Sequence, residues 1–184
     1  MKGVYKYNKV AFYQVEYNPD KILEFVDQND KYNKKILDHG GLSDLRGELQ
    51  TCVNEYVDNH GLDCNAVVYD SEVVITSKKK SCEYRLHPTV FLHGIYTFAT
   101  VKGSTPVTLK FKDNRCQDIK TTPGMLILSP HGHESKNGSI HPRMSITFNV
   151  FKENNLKWII EIDKLVSKGE LEQKDIVVPD DYEY

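Results

Sequence analysis

The spacing of apolar positions changes character twice along the 184 residues. From residue 43 to about 60, Leu45, Leu49, Cys52, Val53, Tyr56 and Val57 recur at a helical period and define one stripe. Ser43 is placed to cap the free amides at its start, and Gly61 offers a left-handed stop. A shorter helix is expected from residue 20 to about 28 through Ile22, Leu23, Phe25 and Val26. A third precedes Gly169 on the stripe Ile159, Ile162, Leu165 and Val166. Between them the pattern becomes strand-like over 66–69, 72–76, 89–100, 107–111, 125–128 and 143–150. Turn residues separate these runs: Asp70-Ser71, Lys102-Gly103-Ser104, Asp113-Asn114, Pro123-Gly124 and Asn137-Gly138-Ser139. The tyrosine-rich start (Tyr5, Tyr7, Tyr13, Tyr17) suits an added strand or a contact surface in an oligomer.

A strand block flanked by helices predicts an α+β domain, and several short strands at this spacing suggest a sandwich or a jelly-roll barrel. No repeat or linker divides the chain. One domain over 1–184 is expected, with helical support in 1–62, the strand core in 64–150, a helix over 153–168 and an acidic tail from 170 to 184. In the last strand Met144, Ile146, Phe148 and Val150 share one face, and Arg143, Ser145, Thr147 and Asn149 share the other. A polar face on a late strand either meets water or lines a cavity that binds something polar.

Composition narrows the function classes. Apolar residues make up 39% and charged residues 27%, and 24 Lys+Arg against 26 Asp+Glu give a net charge of −2. This balance argues against a nucleic-acid coat or a membrane-surface binder, which need a basic excess. No apolar run approaches the ~20 residues that span a bilayer, and the first residues show no signal core, so a cytoplasmic protein is expected. Cys52, Cys64, Cys82 and Cys116 are scattered without a C-x-x-C pair, which points to reduced thiols rather than a zinc cluster. Lys78-Lys79-Lys80 is expected to be a solvated basic turn.

Five of the seven histidines (His87, His93, His131, His133 and His141) fall within the strand block. Clustered imidazoles suggest a divalent metal, since neutral histidine is its commonest ligand. Ten residues separate His133, in an expected turn, from Arg143, enough for one turn to bring both to one cavity mouth. Arg143 and Ser145, two apart on a strand face, could clamp a carboxylate through a bidentate guanidinium and a hydroxyl. A lone arginine would favour a surface salt bridge; the Arg-x-Ser on a polar face shifts Arg143 toward the clamp.

The segments 85–96, 122–130, His133 and 142–149 together resemble the Fe(II)/2-oxoglutarate dioxygenase superfamily. More narrowly, they are similar to a group of small oxygenases of phage and bacterial genomes. Those pair a His-x-His-Pro…Ser-Gly-Val-Tyr-Tyr segment with a Pro-x-Gly…Phe-Pro…His…Arg-x-Ser-x-x-Phe-Asn segment. The resemblance covers about residues 42 to 150. It implies a double-stranded β-helix (a jelly-roll, cupin-like barrel) with flanking helices, Fe(II) as the metal and 2-oxoglutarate as co-substrate. It makes His133 the distal iron ligand and Arg143 with Ser145 the 2-oxoglutarate clamp. The first segment departs from the pattern. Without gaps, Arg85 stands at the first ligand position and His87 at the second, and a guanidinium cannot ligate a cation. Shifted by two, His87 becomes the first ligand and Thr89 stands where a carboxylate or histidine is expected. His93, in place of a small residue, could complete a set drawn from His87, His93 and His133, sharing its strand face with Ile95 and Thr97. Thr97 replaces the second tyrosine of the family's pair.

Two function classes follow: an oxygenase hydroxylating a small-molecule or peptidyl substrate, or an inactive β-helix module used for binding or assembly, as in a phage virion. A metal hydrolase on a cupin-like barrel is a third. The altered ligand set separates the first two.

Overall fold

The computed structural model describes residues 3–5, 9–28, 35–76, 83–84, 90–111, 115–130, 133–134 and 141–171. Its strands are β1 (Gly3–Tyr5), β2 (Val10–Gln14), β3 (Ala66–Thr76), β4 (Glu83–Tyr84), β5 (Leu92–Thr100), β6 (Val107–Lys110), β7 (Cys116–Ile119), β8 (Met125–Ser129), β9 (His133–Glu134) and β10 (Arg143–Lys152). Its helices are α1 (Pro19–Gln28), α2 (Ser43–Asn59) and α3 (Glu153–Ser167), with short 3-10 turns at Ile36–Asp38 and Gly40–Leu42. The strands form two antiparallel sheets, ordered β1-β2-β8-β5-β10-β3 and β4-β9-β6-β7. From β3 onward the chain passes back and forth between them. A mixed helix-and-sheet fold was expected, and this is one. No helix among the described residues is long and apolar enough to cross a membrane.

Helix α2 forms where its stripe predicts. Leu45, Leu49, Val53, Tyr56 and Val57 are buried, and Gly61 ends the helix at φ +60° while Leu62 N–H donates to the Val57 carbonyl. The expected cap differs. Ser43 already has helical backbone angles, so its hydroxyl cannot serve the N-terminal amides and instead donates to the Gly40 carbonyl. The N-terminal region supplies β1 and β2 as added strands, extending the larger sheet past β8.

The larger sheet has two faces. Ala11, Tyr13, Tyr96, Phe98, Leu126, Leu128, Ile146, Phe148 and Val150 pack against α1 and α2 in the main core. The opposite face sends Val10, Ile95 and Ile127 into a smaller cluster with Val107, Leu109 and Ile119 of the second sheet. A single strand replaces the two expected at 66–69 and 72–76. Asp70 and Ser71 do not turn; a register shift beside Asn149 absorbs the break, and the buried Ser71 hydroxyl accepts the Leu37 N–H at 2.9 Å. The expected features at Asp113-Asn114, Asn137-Gly138-Ser139, Lys78–Lys80 and 172–184 lie outside the described residues.

Candidate functional site

The site is built on the inward face of β10, the strand paired on both sides by β3 and β5. The expected alternation holds: Ile146, Phe148 and Val150 enter the main core, while Arg143, Ser145, Thr147 and Asn149 turn toward the second sheet. That face does not meet water. Arg143, Ser145 and Thr147 are all buried, at 2%, 1% and 3% exposure.

The register adds neighbours to each of these residues. Thr97 of β5 lies opposite Ser145, their hydroxyls 3.3 Å apart, with Val74 of β3 on the other side. Arg143 lies between Thr76 and Thr100, and the Thr76 hydroxyl donates to the Arg143 carbonyl at 3.1 Å. The guanidinium Nη1 donates to the Thr105 carbonyl at 2.9 Å, in the connection between β5 and β6. A surface salt bridge is excluded for this residue by its burial. A buried guanidinium needs acceptors around it, and its planar fork favours a carboxylate among them.

Six residues along β10, about 20 Å at the rise of an extended strand, Asn149 pairs with His93 near the start of β5. His93 Nδ1 and Asn149 Oδ1 are 3.0 Å apart, and the His93 ring is 4% exposed. Burial pulls its pKa down to about 4, with the Asn149 hydrogen bond acting in the opposite direction, so the ring is neutral near pH 7. Ser129 of β8 faces His93 across the next ladder, and Glu72 of β3 faces Thr147.

His133 lies in β9, a strand where a turn was expected, opposite Tyr84 of β4 and Leu109 of β6. The residue just before the first motif therefore stands opposite the candidate distal histidine. His87, Arg85, Thr89 and His131 lie outside the described residues. Among the described residues, no group of three or more His, Cys, Asp or Glu is arranged to hold a metal. A cavity of about 450 Å³ opens elsewhere, at Gln14, Glu16, Tyr17, Phe98, Pro123 and Gly124, and none of the candidate residues lines it.

Comparison with solved structures shows what this arrangement is similar to. A prolyl-4-hydroxylase from Pseudomonas putida superposes with a TM-score of 0.58 at 8% identity, over 80% of this chain and 88% of that one. A viral collagen prolyl hydroxylase from Paramecium Bursaria Chlorella virus-1 gives 0.58 at 9% identity, over 81% and 93%. A prolyl hydroxylase from Trichoplax adhaerens, in complex with a peptide fragment of hypoxia inducible factor, gives 0.57 at 15% identity, over 80% and 86%. An oxidoreductase of the 2OG-Fe(II) oxygenase family from Burkholderia pseudomallei also matches, with a TM-score of 0.54 at 8% identity over 77% of this chain and 66% of that one. The chain has the fold of the 2OG-Fe(II) oxygenases. At these identities the likeness is one of fold. Neither a protein-family model nor a curated protein matches the sequence.

Within that fold, the two quoted motifs meet as strand partners. Gly94 lies opposite Phe148 and His93 opposite Asn149. A Cβ at Gly94 would fall 2.1 Å from the Phe148 ring, so glycine is required there. His93 is a buried, neutral imidazole engaged by Asn149, and no group of three or more His, Cys, Asp or Glu is arranged around it among the described residues. Sequence reasoning missed Thr76, Glu72 and the Thr105 carbonyl. Reading 66–76 as one strand would have placed Glu72, Val74 and Thr76 on one face, whereas a backbone carbonyl leaves no mark in residue types.

Proposed function

We infer that this chain is an Fe(II)- and 2-oxoglutarate-dependent oxygenase on a double-stranded β-helix, hydroxylating a small-molecule or peptidyl substrate. The observation that carries the reading is the buried Arg143–Ser145 pair on the inward face of a fold shared with prolyl hydroxylases. Arg143 is assigned the far carboxylate of 2-oxoglutarate, with the Ser145 and Thr97 hydroxyls as further donors. The Thr105 carbonyl keeps the guanidinium oriented. Ile95 and Ile127, on the same sheet face, join Val107, Leu109 and Ile119 in an apolar cluster between the sheets.

Of the three histidines His87, His93 and His133, we assign the iron to His133 and His87, because His93 pairs with Asn149 six residues along β10 from Arg143, beyond the reach of a five-carbon diacid. Support comes from β4 pairing with β9 next to the first motif. Two residues, Arg85 and Leu86, separate Tyr84 from His87, a span of at most about 10 Å at full extension. The chemistry that iron and 2-oxoglutarate supply when bound is oxidation of a C–H bond by dioxygen. The chain's own part is to hold the co-substrate carboxylate and to present imidazoles to the metal.

The test is anaerobic addition of Fe(II) and 2-oxoglutarate, read by the weak visible charge-transfer band of a chelated iron. Wild-type protein is expected to show the band and His133→Ala to lose both band and iron. A wild-type protein that retains no iron and shows no band would establish the inactive binding or assembly module instead.

A further inference from the structure

Three segments far apart in the chain meet where β2 hands over to α1: residues 14–19, Phe98 of β5 and the Pro123-Gly124 turn before β8. Backbone hydrogen bonds pin them, Val15 N–H to the Gly124 carbonyl and Gly124 N–H to the Thr97 carbonyl, each at 2.8 Å. The Gln14 side-chain amide donates to the Pro123 carbonyl at 3.1 Å. Gly124 has φ +83°, and a Cβ there would fall 2.9 Å from the Val15 carbonyl oxygen, so glycine is required. These contacts frame a cavity of about 450 Å³, within the size range of ligand pockets. Phe98, Tyr17, Pro19 and Pro123 give it apolar rings, and the exposed Glu16 stands among them.

Charge says what enters. Glu16 lines the cavity, Asp20 follows Pro19 in the first turn of α1, and Asp44 lies close enough to add to burial in raising the Tyr17 phenol above its ordinary pKa. The Asn18 carboxamide oxygen accepts the Asp20 N–H at 2.9 Å, so the partial positive charge of the α1 N-terminus is already answered. Against these three carboxylates stands the Lys21 ammonium, 5.9 Å from the centroid of the Tyr17 ring. The ring therefore already attracts a cation. We propose that this cavity docks an arginine side chain of a peptide, its guanidinium stacked on Tyr17 and paired with Glu16. A guanidinium stacks on aromatic faces, forks onto a carboxylate and is more weakly hydrated than an ammonium, so it displaces Lys21 from the ring. The carboxamides of Gln14 and Asn18, also in the lining, offer donors and acceptors to a peptide main chain. None of the candidate iron or co-substrate residues lines the cavity, so this site stands apart from the oxygenase reading.

The probe is the tripeptide alanyl-arginyl-alanine, blocked at both ends and titrated into the 15N-labelled full chain at low salt, where surface charges are least screened. Tripeptides with alanine or glutamate at the centre are the comparisons. The arginine peptide is expected to shift amide signals of residues 14–21 and 123–124 with a dissociation constant on the order of 1 mM, and the other two to leave them in place. Tyr17→Leu is expected to weaken binding by about 3- to 30-fold. Glu16→Gln is expected to weaken it by about 2- to 5-fold, and Lys21→Ala, which removes the competing ammonium, to tighten it by about the same factor. Should the leucine variant fail to fold, the changes at the exposed Glu16 and Lys21 carry the test. Equal binding of the three peptides, shifts confined to other residues, or no shift at roughly ten times that concentration overturns the proposal. So does an unchanged affinity in both Glu16→Gln and Lys21→Ala.

Discussion

The two faces of the β5–β10 pair are built from the same backbone and do opposite things. Toward the helices they carry Tyr96, Phe98, Ile146, Phe148 and Val150, close-packed and apolar. Toward the second sheet they carry His93, Thr97, Arg143, Ser145, Thr147 and Asn149, nearly all of them buried as well. Burial alone therefore does not separate a core from a site; the kind of group buried does. A polar group taken from water costs roughly 1–3 kcal/mol unless it is paired. Here the pairing is explicit: hydroxyl to hydroxyl at Ser145, imidazole to amide at His93, guanidinium to carbonyl at Arg143. Valines and isoleucines would fill the same space without that requirement. The helix face holds the strands in register, and the inward face uses that rigidity to aim polar groups.

The sharpest way to break this division is to attack the helix face. Phe148→Ala removes a fully buried ring wedged over Gly94 and is expected to cost about 3–5 kcal/mol in chemical denaturation. That is a large share of a domain's total stability. If the loss were under about 1 kcal/mol, the helix face would not be the element that fixes register.

A pH titration probes the other face. Burial holds His93 near 4, below its ordinary 6.5. Between those values the unfolded chain binds a proton that the folded chain refuses, so stability rises with pH across the window. The contribution is complete above about pH 6.5 and is lost as pH falls through 4. The difference corresponds to about 3 kcal/mol. Denaturation of the metal-free protein at pH 7 and at pH 4.5 should show most of this loss, and His93→Gln should flatten it. An unchanged slope in that variant would mean that another group governs acid sensitivity.

The sequence reveals the two faces of β10 because eight residues alternate there without interruption, and the period of a strand is strict. It reveals α2 and its Gly61 stop for the same kind of reason. What it conceals depends on distant partners. Asp70-Ser71 reads locally as a turn, yet Ser71 is kept in the strand by an amide 34 residues away. Strands β4 and β9 hold two residues each, too few to alternate, so His133 reads as turn. Strand β7 is exposed along Cys116, Gln117 and Asp118 and has no apolar period to show. For the site, residue types pointed to Arg143, Ser145 and His93. Which of them meet Thr105, Thr97 and Asn149 is a matter of register, set by long-range pairing.

Binding measurements sharpen the comparison further. Arg143→Ala is expected to weaken 2-oxoglutarate by about 10- to 100-fold, the loss of a charged hydrogen-bonded contact worth roughly 1.5–3 kcal/mol. Calorimetry on metal-loaded protein reads it directly. Equal affinities in variant and wild type would remove Arg143 from the clamp and leave it a structural cation tied to Thr105.

The smallest effect is the most discriminating, because it compares adjacent residues. Ser145 and Ile146 follow one another on β10 and point to opposite faces. Ser145→Ala removes one hydroxyl beside Thr97 and is expected to weaken 2-oxoglutarate by about 0.5–1.5 kcal/mol, the net value of one hydrogen bond. Ile146→Val removes one buried methylene and is expected to cost a similar 0.5–1.5 kcal/mol, in folding stability. Magnitude cannot tell the two apart, so the observable must. If the serine change appears only in denaturation, or the isoleucine change alters co-substrate affinity, the strand does not divide its labour between faces.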